Sequence, residues 1–363
     1  SGHSLLTDRP PSNSSLLNNH MLLKVNGQLI TDPTAKAEVL NRQFQSVFNE
    51  GKTYTQEGFH QKCPMGEKEQ RELPDIIITQ DGMKKLLQSL NTHKACGPDN
   101  ISPRCTEGTG NRTSPCTHQS SLSTGYIPSD WRDANVIPIF KKGEHHDPSN
   151  YRSVSLTSVP GKVLEHIIVS ALMKHLEECN LLCPGQHGFR NKRSCETQLL
   201  EFAEEVTESV EHGMQTDVIV LDFVKAFDKA VVVDGKSSEY ISVRSGVPQG
   251  SVLGPSLLLV YINDLPDQLT ECTRLYADDT AVYMIRTSVQ DKARLQEDLH
   301  RLKQWKHSWD MSFHPGKCST LPVTRKRSPF DSTYSLHGQI LQTVSSTKYL
   351  GVTIQHDLGW DIH

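Results

Sequence analysis

The chain has 363 residues, 36 % hydrophobic and 22 % charged, which is enough apolar mass for a sizeable core and for about two domains of ~150 residues each. Lys plus Arg number 38 and Asp plus Glu 42, a net charge of −4, which excludes a uniformly basic nucleic-acid binder but leaves room for a local basic channel. No run reaches the ~18 consecutive apolar residues of a transmembrane helix, so no membrane partner is expected.

The sequence opens at Ser1 with no initiating Met and no signal-peptide pattern, so a fragment of an intracellular protein is expected. Nine cysteines, an odd number spread over a long chain, point to reduced thiols rather than a disulfide framework. Residues 1–30, rich in Ser and Asn, read as a flexible lead-in. Asp32-Pro33 then opens a helix, with Asp as the cap and Pro in the first turn. Leu40, Phe44, Val47 and Phe48 form its apolar stripe. Residues 51–75 are charged and irregular. Thr79 starts a second helix with Met83, Leu86, Leu87 and Leu90 on one face, and Gly97-Pro98-Asp99 ends the unit in a turn. Residues 104–119 fit neither a helical nor a strand period.

Residues 134–140 (ANVIPIF) read as a strand and Lys141-Lys142-Gly143 as a basic turn. A helix carrying Val163, Leu164, Ile167 and Ile168 follows Pro160-Gly161. Leu199, Ala203, Val206 and Val210 mark the next helix. Residues 201–222 hold seven acidic residues and no Lys or Arg, which suggests a solvated outer face. Residues 217–223 (DVIVLDF) form the continuous apolar run of a buried strand. Asp234-Gly235 suggests a hairpin joining residues 231–235 to 239–243. Residues 274–285 suggest a second hairpin with Asp278-Asp279 at its tip. Leu295, Leu299, Leu302 and Trp309 stripe a long helix.

The chemistry gathers late in the chain. Asp222 is a carboxylate inside an apolar strand, which is costly unless it is solvated at the strand end, paired, or bound to metal. Asp278 and Asp279 repel one another between apolar flanks, and a hairpin carrying both is either a solvated turn or the holder of a cation. Between them lies Gly246-Val247-Pro248-Gln249-Gly250, a turn that lets backbone approach a flat ligand closely. A lone carboxylate, a Gly-rich turn and a carboxylate pair, in that order, describe a two-metal site for nucleotidyl transfer. A second spacing, His175, Cys179, Cys183 and His187, has the residue types of a zinc site. Pro184-Gly185 would break any helix aligning all four, which favours unligated side chains. No Gly-x4-Gly-Lys-Ser/Thr loop is present, since Met311 stands where the first Gly belongs, and no Gly-x-Ser-x-Gly elbow occurs.

Nine short motifs together carry a resemblance. They are KACGPDNISP (94–103), WRDANVIPIFKKG (131–143), DPSNYRSVSLTS (147–158), GQHGFRNKRSCE (185–196), LDFVKAFD (221–228), GVPQGSVLGP (246–255), YADD (276–279), HPGKCS (314–319) and KYLGV (348–352). In this order they resemble the reverse transcriptase of non-LTR (LINE-type, jockey-like) retrotransposons. The resemblance implies an α+β right-hand polymerase with fingers and palm, the palm being an antiparallel sheet backed by helices. It places an N-terminal linker and helix at 1–75, a fingers-like region at 76–215, a palm region at 216–363 and a reverse transcriptase domain at about 120–356.

The implied activity is RNA-directed DNA polymerisation, with two Mg²⁺ ions (or Mn²⁺) as cofactors. The implied partners are an RNA template, a DNA primer and deoxynucleoside triphosphates. Asp222, Asp278 and Asp279 match the metal-binding carboxylates, and the Phe223 carbonyl would complete one coordination shell. Phe227 matches the ring that excludes a ribose 2′-hydroxyl, and Gln249 matches the residue lying against the incoming nucleotide. Lys141 and Arg152 match fingers residues on the triphosphate. Lys317 matches a lysine that protonates leaving pyrophosphate, or else is a solvated turn residue.

The sequence departs from the family in several places. Only 17 residues (229–245) separate Asp228 from Gly246, where the family has several tens, mostly helical. The missing helix should back the palm sheet, so its loss is expected to bare apolar sheet surface and impair catalysis. Residues 104–119 stand where the family has an amphipathic helix and read as a corrected frameshift. Ser153 replaces the proline expected after Arg152. The chain stops soon after Tyr349-Leu350-Gly351-Val352, which implies that the thumb is missing, and no endonuclease precedes Ser1. The alternative function is a catalytically dead remnant acting as a nucleic-acid-binding module. Residues 301–363 carry eight Lys/Arg against four Asp/Glu, including Arg325-Lys326-Arg327.

Overall fold

The computed structural model describes residues 22–45, 72–105, 114–223, 232–233, 236–237, 250–309, 311 and 313–359. They fall into two compact units. One is drawn from Ser1–Thr53, Pro74–Ile168 and Phe227–Gly254, the other from Tyr54–Leu73, Val169–Ala226 and Pro255–His363.

In the first unit, Asn26 and Gly27 both take positive φ (51° and 82°), the mirror-image turn that matches the twist of a hairpin. Leu23–Val25 (β1) and Gln28–Ile30 (β2) therefore pair antiparallel. This corrects the expectation of a flexible lead-in for residues 23–30, because the Asn26-Gly27 turn closes a hairpin there. Leu23 is buried with Leu40 and Phe44 of α1, Pro33–Gln45, which Asp32 caps through the Ala35 N–H at 2.7 Å. Val47 and Phe48 lie outside the described residues. Helix α2, Gln80–Ser89, begins at its Thr79 cap as expected.

Part of the unpatterned segment is helical: α3 spans Pro115–Thr124, capped by Ser114. Its buried positions are polar, His118 and Ser121, so no apolar period advertises it. His118 is held by the Pro160 carbonyl at 3.1 Å and the Trp131 ring at 4.8 Å. A short helix, α4 (Ser129–Arg132), leads into β3 (Ala134–Phe140), which pairs antiparallel with β4 (Tyr151–Thr157). Helix α5, Val159–Glu178, follows. Val232–Val233 (β6) and Lys236–Ser237 (β7) pair around the expected Asp234-Gly235 turn, and residues 239–243 lie outside the described set.

The second unit is a sheet with helices. Ser194 and Thr197 form a capping box at the start of α6, Cys195–Glu211. After it come β5 (Gln215–Leu221), α7 (Leu253–Tyr261), β8 (Cys272–Tyr276), β9 (Asp279–Arg286), α8 (Asp291–Trp309) and β10 (Ser319–Val323). Two-residue strands β11 (Ser335–Leu336), β12 (Gln339–Ile340) and β13 (Gln342–Thr343) precede a final hairpin of β14 (Ser346–Tyr349) and β15 (Val352–Gln355).

The main sheet has the order β13-β10-β5-β9-β8. It is antiparallel except for β13, which joins β10 in parallel, so the sheet is mixed and the chain is α+β. Val218, Ala281, Tyr283, Leu321 and Val323 pack one face against Phe202, Val206 and Val210 of α6. On the other side α8 buries Leu295, Leu299 and Leu302, and its Trp305 meets Phe223 at 6.2 Å. Every residue of β5 except Val220 is buried, as are residues 280–284 of β9. The expected bare sheet surface is therefore absent from these strands, because α6 and α8 supply the cover.

Two ion networks tie the strands together. Arg274 of β8 bonds Glu201 and Glu205 of α6, so part of the acidic helix face is paired rather than only solvated. At the far end of β5 and β9, Asp217 and Arg286 form an ion pair of 2.9 Å with both side chains fully buried. Asp217 also accepts from Gln215, Ser332 and Tyr334, and Arg286 donates to the Asp331 carbonyl. Such a pair is expensive to break, because the survivor is a buried charge without its partner. Asp217→Ala is expected to lower unfolding stability by about 3–5 kcal/mol, measured by urea denaturation, while replacing both partners by apolar residues costs less.

Candidate active site

Tyr276 pairs with Asp279, so the β8–β9 loop consists of Ala277 and Asp278 alone. Asp279 is the first residue of β9 rather than part of the tip. Ala277 takes φ +54°, a left-handed conformation that a residue with a Cβ adopts at some cost. Leu221 of β5 lies opposite Thr280, and this register brings Asp222, the next residue, beside Asp279. Asp222 is fixed through its backbone: its carbonyl accepts the His314 N–H at 2.8 Å, and its own N–H meets Cys318 Sγ at 3.4 Å. The bridge from Phe223 to Phe313 uses the Asp222 carbonyl, not that of Phe223. Lys317, in the turn that follows, places Nζ 3.6 Å from Asp222 Oδ1.

The electrostatics follow from this crowding. Asp278 and Asp279 reach solvent, yet the protein around them removes part of their hydration. Burial raises the Asp278 carboxyl above the usual carboxylate range, and the Asp222 charge adds to it. Burial and then the charges of Asp278 and Asp222 push Asp279 up to about 6. The three carboxylates thus sense one another across the joined ends of β5, β8 and β9.

Residues 185–188 brace this hairpin. Gly185 and His187 exchange backbone hydrogen bonds with Leu275 at 2.9 and 2.8 Å, so the segment runs along β8. Gln186 Oε1 accepts the N–H of Gly188 at 2.8 Å and of Ala277 at 3.0 Å. Arg190 closes the loop with two bonds to Glu177 (2.8 and 2.6 Å) and bonds to the Cys183 and Gln186 carbonyls. Sequence reasoning placed these residues in a family motif but gave Gln186 and Arg190 no individual role. The available signal was the pair of glycines flanking Gln186-His187, which marks close backbone approach.

The other predicted residues belong to the first unit. Ile139 pairs with Arg152, and Lys141 lies two residues on from Ile139, so both exposed cations project from one face of the β3–β4 hairpin. Gly250, at φ +117°, passes so close to β4 that a Cβ there would lie 2.5 Å from the Ser155 carbonyl oxygen. Glu165 Oε2 accepts the Val252 N–H at 2.6 Å and so holds the end of the same turn. Nothing local in the sequence pointed to Glu165. Phe227 and Gln249 lie outside the described residues.

The four His and Cys at 175–187 do not assemble as ligands. His175 and Cys179 meet only each other at 3.8 Å, and His187 bonds Thr197 and Arg193. Among the described residues, no three His, Cys, Asp or Glu side chains already converge to hold a metal ion.

A family model described as "Reverse transcriptase (RNA-dependent DNA polymerase)" matches residues 139–354. The chain is similar to the "RNA-directed DNA polymerase from mobile element jockey" of Drosophila melanogaster, 28 % identical over 341 residues that take in 81 % of this chain and 37 % of that protein. It is also similar to the "Probable RNA-directed DNA polymerase from transposon BS" of the same organism, 28 % identical over 343 residues, with 81 % and 37 % covered. A further relative is the "Putative 115 kDa protein in type-1 retrotransposable element R1DM" of Drosophila melanogaster, 26 % identical, with 94 % and 35 % covered. The chain spans little more than a third of the length of these relatives.

The raised Asp279 carboxyl has a consequence for stability. Because folding disfavours its ionised form, the folded state loses stability as pH rises from the ordinary value near 4 to about 6. Asp279→Asn removes that loss. Its thermal midpoint in chelator is expected to exceed that of the wild type by a few degrees at pH 7 and to match it near pH 3.5.

Proposed function

We propose that this chain, which belongs to the reverse transcriptase family of non-LTR retrotransposons, carries the RNA-directed DNA polymerase site of such an element. In this reading the main sheet is the palm and the β3–β4 hairpin belongs to the fingers. The substrates are an RNA template, a DNA primer and deoxynucleoside triphosphates. One observation carries the proposal: Asp222, Asp278 and Asp279 come together at adjoining strand ends, where burial and the neighbouring carboxylates disfavour ionisation of Asp278 and Asp279. A fold tolerates such repulsion when a cation is part of the working state.

The donor set suits Mg²⁺ or Mn²⁺. It consists of three carboxylates and the Phe223 carbonyl, hard oxygens only, with no thiolate or imidazole. Bound in pairs, such ions supply the positive charge that clamps the attacking and leaving oxygens of an in-line displacement. The side chains do the rest. Asp222, Asp278 and Asp279 would hold the ions. Lys317, already beside Asp222, carries the proton for the leaving pyrophosphate. Lys141 and Arg152 neutralise the triphosphate, Arg152 in a bidentate fork and Lys141 as a point charge. Gln249 lies against the incoming nucleotide, and Phe227 blocks a 2′-hydroxyl.

We further propose that polymerisation is impaired by internal shortening. The span 229–245 is 17 residues, and the jockey alignment of 341 residues takes in only 81 % of a 363-residue chain, so that relative has extra residues inside the matched span.

Primer extension on an RNA template tests both claims. Slow incorporation that requires Mg²⁺, and that falls ~100-fold or more in Asp278→Ala, is the expected result. Wild-type incorporation equal to that of Asp278→Ala overturns the enzymatic reading. RNA binding that needs no Mg²⁺ and weakens steeply with salt would then make the chain a nucleic-acid-binding module.

A further inference from the structure

The loop that carries Asp278 is two residues long and contains a left-handed alanine. Such a turn does not hold itself, because an unsupported alanine relaxes to negative φ. Gln186 provides the support. Its side chain is 1 % exposed, and its Oε1 receives two backbone N–H groups, those of Gly188 (2.8 Å) and Ala277 (3.0 Å). These two donors also fix which way the amide points, since the opposite rotamer would set the NH₂ group against both of them. Nε2 is left buried with no partner among the described residues. A buried donor without a partner is unfavourable, so Gln186 is kept in place for its oxygen.

The close fit around the turn agrees. Gly188 passes the turn so tightly that a Cβ there would run into the Ala277 nitrogen and the Tyr276 carbonyl carbon. Gly185 does the same one step earlier, where a Cβ would lie 2.5 Å from the Thr273 carbonyl oxygen. The segment is anchored at its far end by Arg190 on Glu177 and at its start by Asn263, whose amide accepts the Cys183 N–H at 2.8 Å and donates to the Leu181 carbonyl at 2.7 Å.

We infer that Gln186 is a positioning residue, which through the Ala277 N–H sets the turn that presents Asp278 and Asp279. The inference rests on the polymerase reading for its purpose, but not for its geometry. Two readouts on the full chain separate them: amide hydrogen exchange in peptides covering 274–281, and Mn²⁺ binding followed by electron paramagnetic resonance.

Gln186→Met keeps the volume and removes the acceptor, whereas Gln186→Glu keeps an acceptor oxygen. The expected result is exchange at 277–278 about tenfold faster in Gln186→Met and close to wild type in Gln186→Glu, with residues 215–221 unchanged in both. Mn²⁺ affinity is expected to fall about tenfold in Gln186→Met and to recover in part in Gln186→Glu. Wild-type exchange at 277–278 in Gln186→Met overturns the inference. So does a loss of protection spread evenly over 215–221 and 274–281, which marks general destabilisation. If Gln186→Met does not fold, Gly188→Ala presses on the same turn from the other side. Faster exchange at 277–278 there supports the inference, and unchanged exchange overturns it. If the wild type protects Ala277 in this way yet binds no Mn²⁺, the metal-site reading fails while the positioning role of Gln186 stands.

Discussion

Leu221 faces Thr280 across β5 and β9, and this register sets opposite electrostatic conditions at the two ends of one pair of strands. At one end Asp217 and Arg286 are wholly buried, paired at 2.9 Å and wrapped in hydrogen bonds from Gln215, Ser332 and Tyr334. At the other end Asp222 meets Asp279 with Asp278 alongside, and among the described residues Lys317 places an ammonium beside Asp222. At the first end the two charges neutralise one another, and at the second, like charges face one another. A sequence that solves its charge problem at one end of a strand and leaves it open five residues later marks the open end as the candidate site. The anchored end allows this, since strands locked together far from the carboxylates cannot slip to relieve the repulsion.

The same division runs through the loops. The turn at Ala277 and Asp278 is too short to relax without breaking the Tyr276–Asp279 pair, so its left-handed alanine must be held from outside. Segment 185–188 does this with backbone bonds to Leu275 and one glutamine oxygen. Asp222 is likewise held by its backbone, between the His314 N–H and the Cys318 sulfur. The carboxylates are thus fixed at their main chains, with the Asp222 side chain also beside Lys317. This is the arrangement expected of groups that reorient around a ligand on a rigid frame.

Much of the frame was legible in the sequence. The apolar run 217–223, the stripes of α6 and α8 and the Asp32 and Thr79 caps each express one local rule, and each element formed where that rule put it. Local rules failed where the deciding contact was distant or polar. Helix α3 buries His118 against the Pro160 carbonyl, so its inward face carries no apolar signature. The hairpin 23–30 was marked by Asn26-Gly27, but the Ser- and Asn-rich surroundings obscured it. The three carboxylates were legible because each is out of place in its own strand or turn. Gln186 was not, because a glutamine in a loop violates nothing until its oxygen is seen on the Ala277 N–H, 91 residues away.

The span proposed as shortened lies in a different part of the chain from the carboxylate frame. The short span 229–245 falls within the Phe227–Gly254 part of the first unit, whereas all three carboxylates, Lys317, Gln186 and the Asp217–Arg286 pair belong to the second. The sheet faces around β5 and β9 are covered by α6 and α8, which come from sequence on either side of the shortened stretch. The carboxylate frame is therefore built from residues outside the span 229–245. The path from Phe227 to Gly250 contains that span and bears the two side chains proposed for ribose exclusion and base contact. Gly250 remains seated on Ser155 and Glu165 still holds Val252, so the downstream end of that path is in place. The proposed shortening therefore concerns a stretch assigned to the first unit, whereas the register that brings the carboxylates together lies wholly in the second.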